Sequence, residues 1–554
     1  MAQTSSKPPS NIQQGIFRSA GVVSAAVFLS RITGLVREML MAWLFGAGQV
    51  YDAFLIGFRI PNLTRDLFAE GALSSAFVPV FTKQLATEGK REAARLSNLV
   101  ATALILIVGS TCLLGMIFAP QLVRLLAAGF TDVPGKFELA VSLTRIMFPF
   151  LLLVALAAQA MGILNACGQF GIPALSSMFF NIGSLVFGLA AGYLAGPWIG
   201  ITPIAGMAYG VVFGGALQLA WQVPSLIREG FLLRPDADLA HPGLRQILRL
   251  MGPAILGNAA VQVNVMVNTR FASAITDASG QVINGPVSWL GYAFRFMQLP
   301  LGLFGVAIAS ATLPAISRSA VAERIDEFRQ TLSRSLGMVF LLTIPSAVGL
   351  AVLGESVIGA VYQWGRFQAY DTQQTALALA CYALGLTGYA ALKILSPAFY
   401  ALHDARTPMI VSLASILINY AAASSLVKIA GLGHLGLALS TSIVALVGSA
   451  VLIFVMRTRI RGIEGRALLA SVAKISAASA AMALACVLSS YVIRRWLGSV
   501  KAAQLADLAI SIPLGILVFA AACRALKTPE WDAAWSALGA PVARRLGFRR
   551  ATLH

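Results

Sequence analysis

The chain has 554 residues, of which 58% are apolar and only 11% charged, with 41 Lys and Arg against 22 Asp and Glu and a net charge of +19. A soluble domain is about 25% charged, so this chain could not cover a water-exposed surface, and disordered chains are richer in charge still. Long apolar runs in place of short alternating ones exclude a membrane barrel, which leaves an all-α polytopic membrane protein.

In chain order, the first residues, 1–16, are polar and carry no cleavable signal pattern, so they read as a cytoplasmic segment before an uncleaved first helix. Runs long enough to span a bilayer then fall at 17–45, 50–82, 96–118, 138–165, 173–196, 202–226, 246–275, 285–315, 333–356, 372–400, 408–427, 434–456, 467–493 and 502–525. That predicts about fourteen helices. Lys and Arg concentrate in alternate connections, as at Lys83, Lys90, Arg91 and Arg95, or Arg457, Arg459, Arg461 and Arg466. The opposite connections hold Arg124, Lys136, Arg366, Lys428, Arg494, Arg495 and Lys501. The positive-inside rule then places both termini in the cytoplasm. The basic tail at 526–554 reads as a membrane-surface anchor and not as a nucleic-acid site.

A repeat runs through the chain. Phe58 and Arg59 correspond to Phe294 and Arg295, Phe68 to Phe304, Pro79 to Pro314 and Pro173 to Pro408, all at a separation of about 235 residues. This predicts two six-helix lobes in a parallel repeat, an N-lobe at 17–245 and a C-lobe at 246–460, followed by two extra helices within 461–525. Transporters built this way bind substrate at the repeat interface.

The informative residues are charges placed where hydrocarbon belongs, each costing about 2.5–3.5 kcal/mol at a helix centre on insertion scales. The first helix carries Arg31, Arg37 and Glu38. The second carries Asp52, Arg59, Arg65, Asp66 and Glu70, and the eighth carries Arg295. Ser30, Gly34 and Arg37 fall on one helical stripe. Five arginines outnumber the acids, which predicts a cationic cavity for an anionic ligand; the planar fork of Arg grips phosphate bidentately. Mutual neutralisation of buried Arg and acid pairs is the competing reading, strongest at Arg59, which Asp52 or Glu38 could pair. Ser288 and Lys393 are further candidates for the cavity lining. The five cysteines show no CxxC spacing and read as apolar fillers, and no metal-ligand or catalytic constellation is present.

Residues 30–81, with SRITGLVRE, LFGAG, YDAF and FRIPNLTRDLFAEGALSSAFVPVF, closely resemble the N-terminal signature of the MurJ/MviN lipid II flippases of the multidrug/oligosaccharidyl-lipid/polysaccharide exporter superfamily. MGPAILG at 251–257, the Ser, Trp, Tyr and Arg of 288–295, IPSAV at 344–348, YQWGRF at 362–367 and LSPAFYALHDARTP at 395–408 extend the likeness over most of 20–460. The resemblance implies transport of lipid II, the undecaprenyl-diphosphate-linked peptidoglycan precursor, from the inner to the outer leaflet of the bacterial inner membrane. It implies alternating access and no catalysis. The family's cavity arginines match Arg31, Arg37, Arg65 and Arg295, its acid in the second helix matches Asp52, and the acid of FAEGA matches Glu70. The last two helices match a groove for the lipid tail. Partners implied are lipid II, membrane lipids and other cell-wall synthesis proteins. A flippase for another prenyl-diphosphate glycan or an amphiphilic compound is the alternative.

The chain departs from the family pattern at Asp66, where a second basic residue is common, and at Phe294, where Asp is common. Some members bind sodium through acids in helices seven and eleven, but 246–275 and 408–427 contain none, so no cofactor is expected and the coupling ion stays open.

Overall fold

The computed structural model describes residues 11–65, 73–232, 234–236, 238, 241–498 and 501–536. These are almost wholly helical; the one β-bridge among them joins Thr276 and Val282. Helices are what an apolar chain forms in a bilayer, where no water is present to satisfy backbone N–H and C=O groups. Asp66, Glu70 and the tail from 537 lie outside the described residues.

The chain divides into two compact units, residues 1–266 and 267–554. The division falls inside a long helix, whereas the sequence places it before residue 246. In the first unit the helices are α1 (Asn11–Phe45), α2 (Gln49–Arg65), α3 (Ser74–Thr87), α4 (Lys90–Ile117), α5 (Ala119–Leu126), α6 (Lys136–Met147), α7 (Phe150–Ala166), α8 (Gly171–Leu189), α9 (Gly196–Ile199), α10 (Pro203–Ala220) and α11 (Val223–Arg228). Helix α12 (Pro242–Ser273) runs across the division. The second unit continues with α13 (Pro286–Pro300), α14 (Val306–Val321), α15 (Ile325–Tyr362), α16 (Ala369–Ala383), α17 (Leu386–Ala401), α18 (Arg406–Ser424), α19 (Gly433–Arg459), α20 (Gly465–Leu497), α21 (Lys501–Ala525) and α22 (Pro529–Ala534).

Among the described residues ten helical segments are long and apolar enough to cross a membrane, or eleven if α16 and α17, bent by 42°, count as one. The protein is a multi-pass α-helical membrane protein. The stretches 17–45, 50–82 and 246–275 are not among those segments; the first two are the ones that charges interrupt in the sequence.

The repeat reappears as matched helix boundaries. α8 and α18 are both 19 residues long, start 235 positions apart, and each passes directly into a π-helical turn, at Ala190–Ala195 and Ser425–Ile429. α3 and α14 each hold an internal proline, Pro79 and Pro314. The core of the first unit gathers Phe77, Phe81, Leu96, Leu151 and Ile163 from α3, α4 and α7. In the second unit Phe328, Leu336, Ile394, Phe399, Leu452 and Met456 do the same from α15, α17 and α19. α20 and α21 pack on α15 through Ile475, Met482, Phe519, Leu341 and Leu353.

Candidate functional site

The charged side chains of the first unit fall into two physically different groups. Asp52 is fully buried, and its Oδ2 accepts a 2.9 Å charged hydrogen bond from Lys136 Nζ; both side chains are 1% exposed. The Lys136 ammonium also sits 4.2 Å from the Phe130 ring centroid. Close by, Gln49 donates to the Pro134 carbonyl at 2.9 Å. These contacts fasten the start of α2 to the start of α6. Farther along, Gly57 lets the two helices touch: a Cβ there would lie 2.9 Å from Met147 Cε and 3.1 Å from both Leu143 Cβ and the Thr144 nitrogen. Lys136, read from the sequence as a loop charge marking topology, is instead a buried partner.

The stripe of Ser30, Gly34 and Arg37 on α1 faces α8. Asn181 Nδ2 donates to the Ser30 carbonyl at 3.1 Å and approaches Thr33 Oγ1 at 3.3 Å, and it lies 3.4 Å from where a Cβ on Gly34 would be. Arg37 stands over the Phe180 ring, 5.2 Å from its centroid. Phe180 packs on Phe150 at 5.2 Å and Phe150 on Phe58 at 5.8 Å, so a row of rings links α8, α7 and α2 under the cation. A cation over an aromatic face is attracted by the ring quadrupole. Arg31 is exposed, Arg59 and Arg65 are half-buried, and Glu38 is buried. Arg37, Glu38, Arg59 and Arg65 all have polar or ring partners, so none is a free charge.

In the second unit, α13 buries Ser288, Trp289, Tyr292 and Phe296. Tyr292 packs on Tyr362 at 4.5 Å and Phe296 on Tyr362 at 5.6 Å. Arg295, one turn beyond Tyr292, is exposed, as is Gln298, and it too has a partner. Trp289 Nε1 donates to Asp371 Oδ1 at 2.9 Å. Lys136 and Asp371 are 235 positions apart, the repeat separation, so both units brace their α2-type helix against the equivalent neighbour, one by an ion pair and the other by an indole. Ser288 is fully buried beside this brace, and Lys393 is exposed on α17.

A neutral network joins α12, α18 and α19: Asn419 Nδ2 donates to Asn268 Oδ1 at 3.0 Å, Asn268 Nδ2 to Thr441 Oγ1 at 2.9 Å, and Ser440 Oγ to Asn419 Oδ1 at 3.2 Å. Neither α12 nor α18 contains a carboxylate, so this network is built from amides and hydroxyls alone.

Asp507, which the sequence reading passed over, is 1% exposed inside α21 and accepts from Ser490 Oγ at 2.7 Å, Ser511 Oγ at 2.6 Å and Ser356 Oγ. An acid within a 25-residue apolar run was the available signal. These bonds fix α20 and α21 to α15. Away from that contact Leu484, Leu488 and Tyr491 of α20 and Ile512, Ile516 and Leu517 of α21 are exposed and apolar.

The model of the lipid II flippase MurJ family matches residues 41–519. The chain belongs to this family. A lipid II flippase MurJ of Burkholderia cenocepacia is 35% identical over 448 residues, covering 80% of this chain and 84% of the relative. A probable lipid II flippase MurJ of Vibrio cholerae is 35% identical over 452 residues, 80% of this chain and 83% of the relative. A solved structure of a lipid II flippase MurJ in an inward closed conformation superposes with a TM-score of 0.73 at 28% identity, over 91% of this chain and 99% of that one. An inward-facing multidrug MATE transporter of the MOP superfamily shares the fold at 15% identity, with a TM-score of 0.65 over 80% of this chain and 98% of that one. This MurJ-family chain is therefore a transporter, and the family expectation drawn from residues 30–81 holds across most of its length.

Proposed function

We propose that the protein moves lipid II from the inner to the outer leaflet of the cytoplasmic membrane for peptidoglycan synthesis, with both termini in the cytoplasm. The observation that carries the reading is the set of arginines on long helices of a MurJ-family chain: Arg37 held over Phe180 and Arg295 exposed on α13, with Arg31, Arg59 and Arg65.

The mechanism is non-covalent. The diphosphate of the headgroup carries negative charge that hydrocarbon would reject. Arginine forks replace its lost water, each charge-assisted hydrogen bond contributing about 1.5–3 kcal/mol. The prenyl tail stays in lipid along the apolar faces of α20 and α21, so only the polar head changes environment. Alternating access then exposes the arginines to one side of the membrane and afterwards to the other. Asp52 contributes by holding α2 against α6 so that Arg59 and Arg65, farther along α2, keep their place.

The deciding experiment follows labelled lipid II in cells depleted of this protein and lacking any other flippase. Loss of label at the outer leaflet is the expected result, and normal outer-leaflet accumulation would refute the proposal. Reporters active only outside the cytoplasm should give signal at residues 49 and 284 and none at 90 and 326; the reverse at either pair would overturn the topology.

A further inference from the structure

The first unit carries a groove that the transport reading leaves unused. It has a volume of about 410 Å³ and is lined by Pro120, Phe137, Glu138, Ser142, Arg145 and Tyr209, among others. That volume lies within the range of about 300–1,000 Å³ common to small-molecule sites. It lies beside the end of α4 and along α6, and Tyr209, 38% exposed, supplies an amphipathic ring of the kind favoured at the headgroup level.

The charges in the groove have a definite order. Arg145 Nε donates to the Met116 carbonyl at the end of α4, at 3.1 Å, which anchors the guanidinium and leaves its two Nη groups for an anion. Glu138 is seven residues earlier on the same helix, so the two share a face and stand about 10 Å apart along the axis, Glu138 nearer the helix end. The hydroxyls of Ser142 and Tyr209 line the same groove. One turn deeper than Tyr209 on α10, Phe213 is 50% exposed and stacks on Phe187 of α8 at 5.0 Å, an apolar surface below the polar groove.

We propose that this groove binds the headgroup of a zwitterionic aminophospholipid, its phosphate on Arg145 and its ammonium on Glu138. A glycerophospholipid places its phosphate nearer the acyl chains and its amine farther out, the same order as Arg145 and Glu138. A phospholipid whose headgroup lacks an amine would satisfy Arg145 with its phosphate but bring no cation to the Glu138 carboxylate. A diphosphate-linked lipid would bring a second negative charge toward that carboxylate. The groove therefore selects a lipid of the surrounding membrane and not the transported substrate.

The test is competitive lipid retention. The full chain is purified from nanodiscs holding equal phosphatidylethanolamine and phosphatidylglycerol, and co-purifying lipids are counted by native mass spectrometry. The wild-type protein should retain phosphatidylethanolamine at least about tenfold over phosphatidylglycerol, a factor equal to about 1.4 kcal/mol. Arg145→Ala should erase that retention, and Glu138→Gln should move the preference toward phosphatidylglycerol. Ser142→Trp, which fills the groove from an exposed position and leaves Arg145 and Met116 untouched, should also displace the lipid; it serves as the reading if Arg145→Ala melts early. A wild-type ratio that follows the supplied mixture, or retention that survives Ser142→Trp in a protein of normal melting temperature, would overturn the proposal.

Discussion

Replacing Asp52 by Asn separates a structural brace from a substrate contact. The Asp52 and Lys136 side chains are each 1% exposed and 2.9 Å apart, so removing one charge strands the other in a dry site. Breaking a buried pair in this way costs about 3–5 kcal/mol, while replacing both members by apolar groups of similar size is often neutral. Asp52→Asn and Lys136→Met should therefore each lower the melting temperature and the membrane abundance, by roughly two to three and a half powers of ten in folding equilibrium. The double variant Asp52→Leu/Lys136→Met should recover most of that loss and much of the lipid II flipping. The assays are thermal melting of the purified protein in nanodiscs, membrane abundance, and flipping normalised to abundance. An Asp52→Asn protein with unchanged melting but no flipping, and a double variant that stays inactive although stable, would refute this reasoning and put the Asp52 carboxylate in contact with substrate.

Other expectations follow from single contacts. Arg295→Ala should cut lipid II flipping about 10- to 150-fold with abundance near wild type, the equivalent of one charge-assisted hydrogen bond of about 1.5–3 kcal/mol, and Arg295→Lys should restore it in part because a point charge lacks the fork; unchanged flipping in Arg295→Ala would remove it from the site. Gly57→Ala places a Cβ 3.1 Å from the Thr144 nitrogen and should destabilise by about 1–3 kcal/mol, read as a lower melting temperature. The Thr407 hydroxyl, the Thr407 N–H and the Arg459 guanidinium hold the Asp404 carboxyl below its ordinary value of 3.8. A carboxyl depressed in the folded state stabilises the fold above its unfolded value, and that contribution fades as pH falls through the folded value. Asp404→Asn should thus melt earlier than wild type at pH 7, with the gap closing below about pH 4; a gap that persists at lower pH would contradict this.

The membrane class, the family and the repeat were legible in the sequence because each is a one-dimensional signal. A long apolar run needs no partner to be recognised, and the separation of about 235 residues between Pro173 and Pro408 reappears as two 19-residue helices with matching ends. The arginines Arg31, Arg37, Arg65 and Arg295 were visible for the same reason: a charge in hydrocarbon stands out by cost alone. Helical periodicity also placed Ser30, Gly34 and Arg37 on one face. Which neighbour meets that face is a different question, since the period of a helix fixes its stripes and not their partners. Only the tertiary structure turned that stripe toward Asn181 and Phe180 of α8. It alone joined Asp52 to Lys136, 84 residues away, in a single buried ion pair. The carboxylate of Asp507 likewise drew its meaning from Ser356, 151 residues distant. Such pairs are decided by helix packing, because a buried charge takes whatever partner the fold brings within hydrogen-bonding distance, and sequence separation places no limit on that choice.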